Sequence, residues 1–121
     1  MTSSLIDQHS LDNFTKDDPE ILADLAVIFA RSFPDYMKKL TFAIENKNSE
    51  LLQETAHQLK SQLSYFFCDS LIAQATELEK LGRDGKLNEA GTLLSETKNG
   101  IERLLNELNS LTSLNLRIEQ D

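Results

Sequence analysis

Ser49-Glu50-Leu51-Leu52-Gln53-Glu54-Thr55-Ala56-His57-Gln58-Leu59-Lys60-Ser61-Gln62-Leu63-Ser64-Tyr65-Phe66 places apolar side chains at Leu52, Ala56, Leu59, Leu63 and Phe66. Steps of three and four residues are the period of an amphipathic helix. Ser49 is a candidate cap for its start. His57, Lys60, Ser61 and Ser64 fall together on the flank of the apolar stripe, because residues three and four apart are neighbours on a helix. The stripe must face a core, so the histidine faces solvent with a lysine one turn further on. Such a pair can hold a phosphoryl group.

Outward from this stretch the chain reads as helical throughout. Only four Gly and two Pro punctuate 121 residues, and β-branched runs are absent. Five helical segments are predicted. The first is short, from about Leu5 to Phe14. The second starts at Asp17-Asp18-Pro19-Glu20, with Asp18 as cap, Pro19 at the first helical position and Glu20 favoured by the helix dipole. Leu22, Leu25, Phe29, Ser32, Tyr36, Leu40 and Ala43 continue it towards Asn46-Lys47-Asn48, and Pro34 is predicted to kink or split it. After the His57 helix, Asp69-Ser70 opens a fourth with Leu71, Ile72, Ala75, Leu78 and Leu81. Gly82-Arg83-Asp84-Gly85 is predicted as a turn. The last helix carries Leu87, Ala90, Leu94, Thr97, Ile101, Leu104, Leu108 and Leu111, and Gly100 inside it costs about 1 kcal/mol against Ala. Each long helix has one apolar stripe, and the connections are short. The expected architecture is all-α: an up-down-up-down antiparallel four-helix bundle with a short extra N-terminal helix. Residues 1–121 read as one domain, with the bundle core at about 18–111 and residues 112–121 fraying.

Composition narrows the chemistry. A formal net charge of −8 repels nucleic acid phosphates and anionic membranes, so neither is expected as a partner. No apolar run is long enough to span a bilayer, and the N-terminus has neither a basic region nor an apolar one of signal-peptide type. The lone Cys68 excludes an internal disulfide framework and suits a reducing cytoplasm; it reads as a small residue buried between helices. Two histidines and one cysteine, widely separated, match no standard zinc spacing. His9 reads as an incidental surface residue, and Phe29, Phe33, Tyr36, Phe66 and Phe67 read as core. Glu96, Glu102 and Glu107 read as a solvated face. No nucleophile motif suggests a hydrolase.

Ala56-His57-Gln58-Leu59-Lys60-Ser61 resembles the central Ala-His-x-Leu-Lys-Gly motif of the histidine-containing phosphotransfer (HPt) domain family. Upstream, Asp18-Pro19-Glu20-Ile21-Leu22-Ala23-Asp24-Leu25 through Ile28-Phe29 looks like the family's preceding helix. Downstream, Leu71, Leu78-Glu79 and Gly82-Arg83 fall at the family's spacings without a gap, so the resemblance covers roughly residues 18–108. Two positions depart from it. Ser61 stands where the family usually has Gly, and a small residue there is expected to preserve function with altered partner fit. Phe67 stands where the family often has a second Gly, which should make the end of that helix bulkier and reshape its packing against the fourth helix.

The resemblance implies a phosphorelay carrier without kinase activity. It would accept a phosphoryl group on His57 from a receiver-domain aspartyl phosphate, or from a kinase, and pass it to a response-regulator receiver. By the same resemblance, Glu79 is the candidate acceptor of the hydrogen bond from the protonated ring nitrogen of His57. Lys60, taken as exposed, lies near the phosphoryl oxygens and tunes rate and phosphohistidine lifetime. The expected partner surface surrounds His57 and comprises Gln53, Lys60, Ser61, Ser64 and parts of the neighbouring helices. The partners are receiver domains of response regulators and of a hybrid sensor kinase, and no cofactor is expected, the Mg²⁺ belonging to the receiver. A cytoplasmic monomer suits the role. The alternative is a receiver-binding helical module that is not itself phosphorylated. A helical adaptor of another kind would need a second extended apolar stripe on the outside of the bundle, which the sequence lacks.

Overall fold

A computed structural model describes residues 4–112 of the chain. Five α-helices follow in order: α1 (Gln8–Thr15), α2 (Glu20–Glu45), α3 (Ser49–Ser64), α4 (Asp69–Asp84) and α5 (Ala90–Thr112), with a 3₁₀ turn at Leu87–Glu89 before the last. Helices α2 to α5 form the antiparallel four-helix bundle. α3 packs between α2 and α4, and α5 closes the ring against both. α1 is the short extra helix and rests on α2.

The four stripes meet in a single core. Phe29 and Phe33 of α2, Leu52, Leu59 and Leu63 of α3, Leu71 and Leu78 of α4, and Ile101 and Leu104 of α5 are all essentially removed from solvent. Burying one such side chain contributes about 1.5–3 kcal/mol, whereas an exposed ion pair contributes about 0–1. The apolar stripes therefore hold the bundle together, and polar groups on its flanks contribute little to folding.

Several boundaries differ from the sequence expectations. α1 begins at Gln8 rather than Leu5. Ile6 is buried ahead of it, and Asp7, in extended conformation, caps the helix by accepting from the Ser10 amide. α2 begins at Glu20, with Pro19 as the capping residue and no bond from the Asp18 side chain; the Asp18 carbonyl accepts from Ile21 N instead. Pro34 does not split α2, which runs unbroken for 26 residues. Phe29, Ala30 and Phe33 before it and Leu40 and Ala43 after it bury one continuous face, which offsets the one lost backbone bond. α3 is capped by Asn48, whose side chain accepts from Leu51 N at 3.1 Å, and Ser49 is the first helical residue.

The two glycines of the predicted turn have separate duties. Gly85, at φ +72°, ends α4 in left-handed backbone. Gly82 is not in the turn: it is buried inside α4, where an added Cβ would stand 2.7 Å from Gln53 N. Gly100 is likewise a close approach, since a Cβ there would come within 2.5 Å of Leu71 Cδ2. Leu87 lies in the 3₁₀ turn, Leu111 is exposed, and Leu105, outside the predicted stripe, is buried. Thr112 ends α5, and the rest of the predicted fraying segment lies outside the described residues.

Glu107 is not merely a solvated charge. Its carboxylate accepts from Leu5 N at 2.8 Å and from the Ser4 hydroxyl at 3.2 Å, tying the N-terminal strand of chain to α5. Phe67, half-buried rather than fully core, adopts left-handed backbone at φ +54°. Its carbonyl accepts from Asp7 N at 2.8 Å, and its ring meets Phe14 of α1 edge-on at 5.7 Å. The bulk introduced at this glycine-type position is thus taken up against α1. Left-handed backbone costs a non-glycine residue about 1–2 kcal/mol. Phe67→Ala keeps that cost and loses the ring, while Phe67→Gly loses both. Phe67→Gly is therefore expected to be the more stable of the two by about 1 kcal/mol in urea unfolding; the reverse order would contradict a left-handed residue 67.

Candidate functional site

The buried stripe of α3 sets the site. With Ala56, Leu59 and Leu63 turned fully inward, His57 is turned out, its side chain 59 % exposed. α4 lies alongside, and Leu78, buried next to Glu79, orients that carboxylate towards α3. Glu79 Oε2 lies 2.8 Å from His57 Nδ1, and its Oε1 accepts from Lys60 Nζ at 2.7 Å. One carboxylate thus bridges two side chains of the neighbouring helix.

Lys60 is not the exposed cation expected from the sequence. It is 27 % exposed and paired, and Glu79 is 17 % exposed. The partial burial follows from position, since Lys60 adjoins the buried Leu59 and lays its stem along the α3–α4 seam. The Lys60 ammonium holds the Glu79 carboxyl below its ordinary value of 4.5; burial opposes it less strongly, and the bond to the His57 ring adds a smaller lowering. An ionised carboxylate is an acceptor only, so the proton between Glu79 and the ring sits on His57 Nδ1. In the neutral ring this tautomer leaves the lone pair on Nε2.

The remaining sequence-derived residues surround this trio. The Ser61 hydroxyl donates to the His57 carbonyl at 3.1 Å and the Ser64 hydroxyl to the Lys60 carbonyl at 2.9 Å. Both serines are exposed, with their hydroxyls folded back on the helix. Gln53, one turn before His57, lines a shallow depression with Glu50, Glu54, His57, Gln58 and Glu79. Tyr65 was missed in the sequence. It is 48 % exposed and lies eight residues after His57, two helical steps along the same face. That spacing from His57, through Ser61, is the signal that could have found it.

Other features carry less. A larger open depression lies between Ile44, Lys47, Ser49 and the Gly85–Glu89 turn, and no His or Cys is among the residues that line it. Burial pushes the Cys68 thiol up to about 12, and its Sγ donates to the Leu63 carbonyl, so this buried cysteine is unreactive. His9 is exposed beside Asn13. Among the described residues, no group of three or more His, Cys, Asp or Glu could hold a metal ion, and no helix is long and apolar enough to cross a membrane.

Comparison with known proteins identifies the family and the fold. The family model of the Hpt domain matches residues 24–107, and the chain belongs to that family of histidine phosphotransfer domains. Its fold is similar to the crystal structure of histidine-containing phosphotransfer protein B (HptB) from Pseudomonas aeruginosa PAO1, with a TM-score of 0.79 over 94 % of this chain and 100 % of that one. Sequence identity between the two is 19 %, so this likeness speaks for the fold. No curated protein matches the sequence significantly.

The lowered Glu79 carboxyl has a consequence for stability. Ionised Glu79 favours the folded state, so its contribution is fully present above 4.5 and is lost as pH falls through the lower folded value. The stability difference between wild type and Glu79→Gln is expected to narrow as pH falls below 4.5 in urea titrations. A difference that stays constant or widens would contradict an ionised Glu79 bridge.

Proposed function

We propose that this chain is a phosphorelay carrier in which Nε2 of His57 accepts a phosphoryl group from a receiver aspartyl phosphate, or from a kinase, and returns it to a receiver aspartate. The observation that carries this reading is the bond from His57 Nδ1 to Glu79 on an exposed side chain, which in the neutral ring leaves the lone pair on Nε2. In the forward step the Nε2 lone pair attacks phosphorus. The bond from phosphorus to the donor's carboxylate oxygen breaks, and its electron pair leaves with that carboxylate. The ring becomes cationic with Nδ1–H retained, and the Glu79 carboxylate faces that new charge. Transfer onward is the same step in reverse. Because the transition state of phosphoryl transfer is loose, alignment and charge placement dominate over covalent activation.

Lys60 supplies positive charge one turn from the phosphoryl site. At about 4 Å a unit charge pair is worth roughly 1 kcal/mol in water and about 4 at an effective dielectric near 20. Half-buried but shared with Glu79, Lys60 tunes rate and phosphohistidine lifetime rather than deciding whether transfer occurs. Mg²⁺ and the remaining catalytic groups come with the receiver.

The docking face is the exposed flank of α3: Gln53, Ser61, Ser64 and, beside them, Tyr65. The aromatic ring offers apolar contact, and the polar residues select among receivers. Glu50 and Glu54 make the rim beside His57 acidic and favour a partner whose approaching face is basic. A cytoplasmic monomer with this face open fits traffic between receiver domains.

Incubation with phosphoramidate, read by intact mass, is expected to give one acid-labile phosphoryl adduct on wild type and none on His57→Gln. A helical wild type with no adduct would favour a receiver-binding module that is not phosphorylated, and an adduct surviving on His57→Gln would remove His57 from the role. Ser61→Arg should still take phosphate from phosphoramidate but lose transfer to a receiver, through bulk at the docking face. Full receiver transfer by that variant would place docking elsewhere.

A further inference from the structure

Both donors to Glu79 lie on α3, so the His57 and Lys60 bonds depend together on how closely α4 approaches that helix. The approach is set one turn away. Gly82 shares the α4 face of Glu79, three residues on, and opposes Gln53, four residues before His57. A Cβ on Gly82 would stand 2.7 Å from Gln53 N, 3.0 Å from Gln53 Cα and 3.0 Å from the Ser49 carbonyl oxygen. All three atoms are backbone, so no side chain can swing aside to make room. Gly100 differs in this respect. Its added Cβ would meet Leu71 Cδ2, the far end of a flexible side chain, in the α4–α5 seam.

We propose that Gly82 is a positioning residue for His57: by letting the α3 and α4 backbones touch, it holds Glu79 within bonding distance of Nδ1 and so keeps the lone pair on Nε2. The inference rests on the reading of His57 as the phosphoryl acceptor and adds what maintains its tautomer. An alanine at position 82 must part the two helices by about 0.7 Å to restore an ordinary contact of 3.4 Å. The same displacement takes the 2.8 Å His57–Glu79 bond to roughly 3.5 Å, beyond hydrogen-bonding range. Alanine is a better helix former than glycine, so the variant does not weaken α4 itself.

The test compares ¹⁵N-labelled wild type, Gly82→Ala and Gly100→Ala by two-bond ¹H–¹⁵N spectra of the His57 ring, together with rates of phosphorylation by phosphoramidate. Gly82→Ala is expected to shift His57 away from the Nδ1–H form and to slow phosphorylation on the order of tenfold, within the roughly 100-fold that a misplacement of about 1 Å can cost. Gly100→Ala is expected to keep the wild-type tautomer and a rate within about twofold, since additivity holds for distant sites. In a Glu79→Ala background, which leaves no acceptor at that position, Gly82→Ala should change the rate by less than about twofold, because its effect passes through Glu79. A folded Gly82→Ala protein with the wild-type His57 spectrum would overturn the proposal. Should that variant fail to fold, Glu79→Asp withdraws the carboxylate by one methylene at unchanged helix spacing. Loss of the Nδ1–H signature there supports the proposal, and its retention overturns it. A wild type that takes no phosphoryl group would defeat the functional reading while leaving the tautomer comparison decisive for Gly82.

Discussion

Burial of Leu52, Ala56, Leu59 and Leu63 against α2 and α4 fixes the rotation of α3 about its own axis. At about 1.5–3 kcal/mol for each large side chain, that term outweighs anything the polar flank contributes. With the rotation set, His57 has no choice but to face outward, and Lys60, one turn on, must lie at the seam with α4. The bundle is in this sense a device for holding one imidazole at a known angle to solvent, its backbone already ordered by packing that makes no use of the imidazole. A phosphoryl acceptor gains from that order, because what it needs is exposure and alignment rather than a cavity.

The second constraint is electrostatic and lies between helices. Glu79 accepts from both His57 and Lys60, and the two donors keep it ionised. The same bridge favours the Nδ1–H tautomer of the ring, restrains the lysine and, in the proposed role, offers a counter-charge to a cationic imidazole. Lys60 divides its attraction between Glu79 and any phosphoryl group, so it is suited to adjusting a lifetime. The trio depends on a close helix approach, and a glycine in mid-helix, normally a cost of about 1 kcal/mol, is what permits it.

The apolar periods made the bundle, its helix count and the outward face of α3 readable from sequence, because those follow from local spacing alone. Helix ends were less legible. Asn48 and Ser49 are both good cap formers, and only the structure shows Asn48 accepting from Leu51 N. Pro34 would break an isolated helix, yet a continuous buried face carries α2 through it. Gly82 and Gly85 belong to one tetrapeptide; one ends a helix and the other admits its neighbour, a distinction set by α3 and invisible along the chain. Glu107 looked like one of several surface carboxylates until its bonds to Ser4 and Leu5, about a hundred residues away in sequence, were seen. At the candidate site, the outward face of His57 was legible from the apolar stripe, and the resemblance pointed to its bond with Glu79. The pairing of Lys60 with Glu79 depends on how α4 lies against α3, which local spacing does not encode.

The central claim is that Glu79 occupies Nδ1 and leaves Nε2 to react. It is tested most directly by locating phosphorus on the ring. After phosphorylation of ¹⁵N-histidine-labelled protein, ³¹P and two-bond ¹H–¹⁵N spectra distinguish the two isomers of phosphohistidine. The account expects phosphorus on Nε2 of His57, with Nδ1 still protonated. Phosphorus on Nδ1 would contradict it, because that nitrogen would then have been free of Glu79 when the group arrived.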